Sequence, residues 1–126
     1  MSLKNIVVEN CQFSIEVGGV IIGSGNVSIT STASTNSKVD GNGIYAGQMA
    51  VSVSGYADAS ITGGSGSGII NPSAQYVLVD SMPVVLESDS GEVVLSGTNP
   101  QSGSPVSGYT VTVKVVSAGQ SVVIGE

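Results

Sequence analysis

The sequence predicts an all-β domain, and three observations carry that expectation. Apolar and polar residues alternate over "YTVTVKVV", with Val111, Val113 and Val115 on one side and Thr110, Thr112 and Lys114 on the other. "MAVSVSG" repeats the pattern, setting Val51 and Val53 against Ser52 and Ser54. β-Branched residues at period two suit a half-buried strand, because successive side chains point to opposite faces. The second observation is punctuation: glycine, serine, asparagine and aspartate clusters interrupt the apolar blocks at roughly eight- to twelve-residue spacing, as short strands require. The third is that no segment carries an apolar stripe at helical spacing.

The elements follow in order. "VIIGSGNVSIT", residues 20–30, reads as strand, turn and strand, with Gly23 and Gly25 shaping the turn. "GNG" at 41–43 is a turn before the strand "MAVSVSG". "GGSGSG" at 63–68 is a turn, and "YVLVD" at 76–80 a short strand. "SDSG" at 88–91 and "SGTNPQSGSP" at 96–105 are turns, the latter leading into "YTVTVKVV". Residues 1–126 are expected to form one domain, a length sufficient for a real core.

Composition excludes several function classes. Of the 126 residues, 40% are hydrophobic and 10% charged, far below the roughly 25% charged of an ordinary soluble domain. The hydrophobicity argues against disorder. The cations are Lys4, Lys38 and Lys114 against a net charge of −6, too few to neutralise a phosphate track, so no nucleic acid is expected as a partner. No apolar run approaches the roughly 18 residues of a membrane helix. The apolar block at Ile6-Val7-Val8 is too short for a signal-peptide core, and synthesis in the cytoplasm is expected. A single cysteine, Cys11, excludes an internal disulfide.

Candidate sites are weak. "GSGNVS" lacks the third glycine of a dinucleotide fingerprint and leads into a strand instead of a helix. "DGNGIY" begins like a calcium loop at Asp40, but Ile44 and Val51 stand where ligands are needed, which leaves a β-turn. "ESDSGE" gathers Glu87, Asp89 and Glu92, which reads as a solvated hairpin tip before a weak cation site. Asn26 in "NVS" matches a glycosylation acceptor that needs a secretory route. With no histidine in the chain, Cys–His and Ser–His–Asp chemistry is impossible, and Cys11 reads as a small buried hydrophobe. No catalytic, cofactor-binding or metal-binding residues are assigned, no cofactor is expected, and the chain is read as a non-enzyme.

The sequence also echoes itself. Gly19-Val20-Ile21 aligns with Gly68-Ile69-Ile70 and Ser24 with Ser73. One inserted residue then brings Val27 over Val77, Ile29 over Val79, Ser31 over Ser81, Ala33 over Pro83 and Asp40-Gly41 over Ser90-Gly91. Two like halves, approximately 12–62 and 63–124, are the expected reading, with chance alignment of Gly/Ser/Val text as the alternative.

The run "GGVIIGSGNVSIT" followed by Ala33 and "VDG", and its second copy "GSGIINPSAQYVLVDSMPVVLESD", resemble the repeat of the PAAR-type spike-tip proteins. The resemblance covers most of the chain. It implies a small β-rich cone that caps a trimeric β-helical spike in contractile injection systems such as type VI secretion machines and phage tails. It further implies a structural, membrane-piercing role with transient contact to the target membrane, export with the particle or virion, and a monomeric tip in preference to a homotrimer. The family binds a metal at its apex through histidines and a cysteine. This sequence has no histidine, so that metal is not carried over, and Cys11 alone could echo a ligand. The family's alanine-arginine pair is missing from both copies. Two other readings stand beside this one. The first is a β-sandwich adhesin or fibre module binding carbohydrate or protein, whose sugar-stacking aromatics would come from Phe13, Tyr45, Tyr56, Tyr76 and Tyr109. The second is a self-associating shell or baseplate subunit.

The purified protein should give a β-type circular dichroism spectrum and contain no stoichiometric zinc or iron; elemental analysis finding one tightly bound transition metal per chain would refute the second point.

Overall fold

A computed structural model describes residues 4–9, 11–39, 41–74, 77–79, 81–119 and 124–125. The chain is all-β, with no helix among the described residues. Its strands are β1 (Lys4–Asn5), β2 (Gln12–Glu16), β3 (Ser24–Ile29), β4 (Lys38–Val39), β5 (Asn42–Gly43), β6 (Met49–Ala57), β7 (Thr62–Ile70), β8 (Leu78–Val79), β9 (Met82–Pro83), β10 (Ser90–Thr98), β11 (Pro105–Ser117) and β12 (Ile124–Gly125). Six long strands form one antiparallel sheet in the order β2-β11-β10-β7-β6-β3. The sheet curls until β2 and β3 face each other, leaving a nearly closed barrel with one seam. Two short hairpins, β4–β5 and β8–β9, and the pair formed by the terminal strands β1 and β12 stand outside it.

The alternation places the core as expected. Val111, Val113 and Val115 of β11 are buried, and so are Val51 and Val53 of β6. Val93 and Leu95 of β10 face them inside the barrel, with Tyr56, Ile61 and Ile70.

A three-fold plan organises the backbone. Twice the chain runs from a long strand through a short hairpin and a three-residue crossing segment into another long strand, and its two ends together complete a third unit of the same form. The first unit is β3, β4–β5, residues 44–46 and β6. The second is β7, β8–β9, residues 84–86 and β10. The third joins the two ends of the described chain: β11, β12–β1, residues 6–8 and β2. The crossing segments are Ile6-Val7-Val8, Ile44-Tyr45-Ala46 and Val84-Val85-Leu86, and they meet in a ring. The Val7 amide donates to the Val85 carbonyl at 2.9 Å, Val85 to Tyr45 at 3.0 Å, and Tyr45 back to Val7 at 3.1 Å. The first residue of each segment bridges the last residue of the next: Ile6 to Leu86, Val84 to Ala46, Ile44 to Val8. The residue after each segment repeats the cycle, with Glu87 donating to Asn5 at 2.9 Å, Gly47 to Pro83 at 2.8 Å and Glu9 to Gly43 at 3.1 Å.

This triangular layer divides the interior in two. Its middle residues, Val7, Tyr45 and Val85, belong to the barrel core. Its flanking residues, Ile6, Val8, Ile44, Val84 and Leu86, belong to a second cluster with Val39 and Ala74, on which Ala46, Val77 and Val79 also pack. Side chains alternating across a layer do in three residues what they do along a full strand.

Several sequence expectations are corrected. The two-copy repeat is not confirmed: Val27 lies in β3 paired with Val53, whereas Val77 lies outside any strand and packs on the second cluster. The repeating backbone unit instead places Ile6, Ile44 and Val84 at equivalent positions. "GGSGSG" is not a turn but part of β7, where Gly64, Gly66 and Gly68 alternate with exposed Ser65 and Ser67. A Cβ on Gly66 would collide with the Val94 carbonyl, and one on Gly68 with that of Glu92, so these glycines let β10 approach. Gly23 and Gly25 do not shape a turn either. The turn lies at Gly18-Gly19, with φ of 60° and 85°, between Val17 and Val20, which exchange backbone hydrogen bonds. Two consecutive positive φ values define the two-residue hairpin turn that suits strand twist. Gly25 packs against Tyr56, whose Cα would sit 2.8 Å from an added Cβ. Within "YVLVD" only β8 is strand, and Tyr76 and Asp80 lie outside the described residues. The "GNG" turn holds, with Gly41 at φ 82° between β4 and β5.

Gly66→Ala should destabilise the fold by about 1–3 kcal/mol, the usual cost of overpacking, while Ser67→Ala, on the exposed face of the same strand, should stay within about 0.5 kcal/mol; urea unfolding midpoints distinguish the two.

Candidate functional site

Two carboxylates are locked by donors without a cation. Asp58 opens the β6–β7 turn. Its Oδ1 accepts the amides of Ser60 at 2.7 Å and Ile61 at 3.1 Å, and its Oδ2 accepts the hydroxyls of Tyr56 at 2.9 Å and Tyr109 at 2.5 Å. The two tyrosine rings tilt at 33° with centroids 6.3 Å apart. Burial pushes the Asp58 carboxyl up, but the four bonds outweigh it and hold it below the usual aspartate range. The same contact raises Tyr109, with burial adding to it, and burial followed by the Asp58 bond raises Tyr56.

Asp89 is the second. It was expected at a solvated tip with Glu87 and Glu92, but it is 6% exposed and precedes β10. Its carboxylate accepts the Leu86 amide at 2.8 Å, the Ser73 amide at 3.1 Å and the Ser73 hydroxyl. The Asp89 side chain therefore ties the 71–74 segment to the triangular layer. Glu87 turns elsewhere and accepts Asn5 Nδ2 at 3.1 Å. Among the described residues, no three acidic or cysteine side chains gather as a metal site. Asp40, the first position of the calcium-like run, lies outside the described residues.

A concavity opens at the seam between β2 and β3. It is a groove of about 740 Å³ lined by Cys11, Phe13 and Ile15 on one side and Val27 and Ile29 on the other, with Tyr45. The β2–β3 hairpin pairs only at its turn, through Val17 and Val20. Beyond the turn it splays, leaving Val20, Ile21 and Ile22 58%, 62% and 54% exposed. The reading of residues 20–30 as strand, turn and strand gives no sign of the opening, because Val27 and Ile29 alternate with polar residues as in strands that do pair.

Cys11 is half-buried in this groove, and desolvation pushes its thiol up to about 11, against a smaller lowering by a backbone hydrogen bond. At neutral pH it is a protonated thiol, which is a poor nucleophile. The apical metal of the resembled family does not fit this donor set of one cysteine and no histidine. Asn26 is exposed on β3. Comparison of the chain with protein-family models, with curated proteins and with solved structures finds no match.

Asp58→Ala should destabilise the protein by about 1–3 kcal/mol by leaving the buried Tyr56 hydroxyl unpaired. Because the folded-state pKa of Asp58 lies below the unfolded value of about 3.9, its contribution is complete above about pH 5 and is lost as pH falls through the folded value. The stability gap between the wild type and Asp58→Asn, followed by thermal melts from pH 7 down to pH 2, should therefore narrow in acid.

Proposed function

We propose that this chain is a non-enzymatic tip protein that caps a trimeric β-helical spike for membrane piercing. The observation that carries the reading is the closed three-membered ring of backbone hydrogen bonds among residues 6–8, 44–46 and 84–86. One polypeptide repeats the same backbone three times around an axis. Such a chain can meet the end of a three-fold partner with three similar contacts, although it is itself a single copy. This favours the monomeric tip over a homotrimer, since the three-fold match is already present within one chain.

Composition supports the same reading. Few charges mean little desolvation cost when a face is covered by a partner or pressed into a bilayer. The carboxylates Asp58 and Asp89 are satisfied from within the fold. The hairpin β8–β9 leaves Leu78 and Met82 largely exposed, apolar area that a docked partner would cover.

The test is reconstitution with a trimeric β-helical spike protein of a contractile injection system. One chain bound per spike trimer by native mass spectrometry is the expected outcome; a stable homotrimer of this chain alone, or specific glycan binding with no affinity for the spike, would overturn the reading.

A further inference from the structure

The three-fold plan makes one opening conspicuous. Long hairpins connect the successive units: β2–β3, β6–β7 and β10–β11. Two of these are zipped along their length, from Met49↔Ile70 to Tyr56↔Gly64 and from Ser90↔Lys114 to Thr98↔Pro105. The first is not, and β2 and β3 are the two ends of the sheet order. Each is paired on one side only, β2 with β11 and β3 with β6, so each presents a free main-chain edge to the seam.

The core is incomplete at the same place. Inward residues of the zipped hairpins, Val51, Val53, Val93, Leu95, Val111 and Val113, are at most 2% exposed. At the seam Ile15 is buried, but its neighbours Phe13, Val27 and Ile29 are only half-buried. A seam with two open backbone edges and an apolar floor calls for an occupant with hydrogen-bonding groups on both sides and alternate apolar side chains. An extended peptide has both properties, whereas a lipid chain lacks the row of donors and acceptors and a sugar lacks the alternate apolar side chains.

Charge narrows the occupant further. Glu9 lines the groove and is exposed. Its Oε1 accepts the Gly43 amide at 2.7 Å, which leaves the other oxygen for a partner. Among the described residues no lysine lines the groove, and the whole chain carries −6. We propose that the β2–β3 seam is a strand-acceptor site for an extended peptide segment of another protein, with alternating apolar residues and a basic residue that meets Glu9. The inserted strand closes the barrel by pairing with β2 on one side and β3 on the other, and it covers Phe13, Val27 and Ile29.

The probe is a fluorescein-labelled peptide, Lys-Thr-Val-Thr-Val-Ser-Val, titrated into the full chain by fluorescence anisotropy. Saturable binding is expected, with slowed amide hydrogen exchange confined to residues 12–16 and 24–29. N-Methylation of alternate peptide amides should abolish it, because backbone pairing is then blocked while the side chains remain. Replacing the peptide lysine by glutamate should weaken binding by at least about twofold to fivefold. Absence of saturable binding up to about 1 mM, equal binding of the N-methylated peptide, or exchange protection elsewhere would overturn the proposal. So would self-association of the chain through the seam in sedimentation experiments, since the occupant would then be a second copy.

Discussion

The ring of backbone hydrogen bonds among Val7, Tyr45 and Val85 is the constraint on which the rest of the structure depends. These residues are buried, and a buried amide left unpaired costs about 1–3 kcal/mol. Three short segments that cross the interior must therefore find donors and acceptors for one another. Three segments arranged head to tail in a closed ring satisfy this, with each donating to one neighbour and accepting from the other. The side chains of the layer then have two faces to fill, and they fill them as the barrel core and the smaller cluster beneath the hairpins.

Close packing is the second condition. Gly66 and Gly68 lie against the backbone of β10, and Gly25 lies against that of β6. The serines between the β7 glycines keep the outer face polar at little cost in bulk. The glycine content of the chain, 18 residues, thus serves strand interiors as well as turns. A glycine in a strand weakens it on its own account but permits close backbone approach.

The scarcity of cations shapes the polar interior. With three lysines in the chain, the structurally important carboxylates are held by hydroxyl and amide donors. Asp58 pins the β6–β7 turn to β11 through Tyr109, and Asp89 pins the 71–74 segment to Leu86. Such bonds to an ionised carboxylate are stronger than those between neutral groups.

The sequence by itself determined the all-β class, the inward valines of β6 and β11, and the turns at Gly41 and in 99–104. Each of these is a local property: alternation reports burial directly, and positive φ favours glycine, as at Gly41 and Gly103, although Ser81 and Ser88 also adopt it. The three-fold plan was not legible, because Ile6-Val7-Val8, Ile44-Tyr45-Ala46 and Val84-Val85-Leu86 share only apolarity and are related by pairing between distant segments. "GGSGSG" misled because glycine permits a turn and a close-packed strand equally, and the difference lies in β10, which passes beside it. Asp89 misled because its donors, Ser73 and Leu86, lie on either side of the β8–β9 hairpin and meet only when it folds back. The seam is tertiary in the same sense. Whether β2 and β3 zip together depends on how far the sheet curls around its core, and that is fixed by packing across the whole barrel.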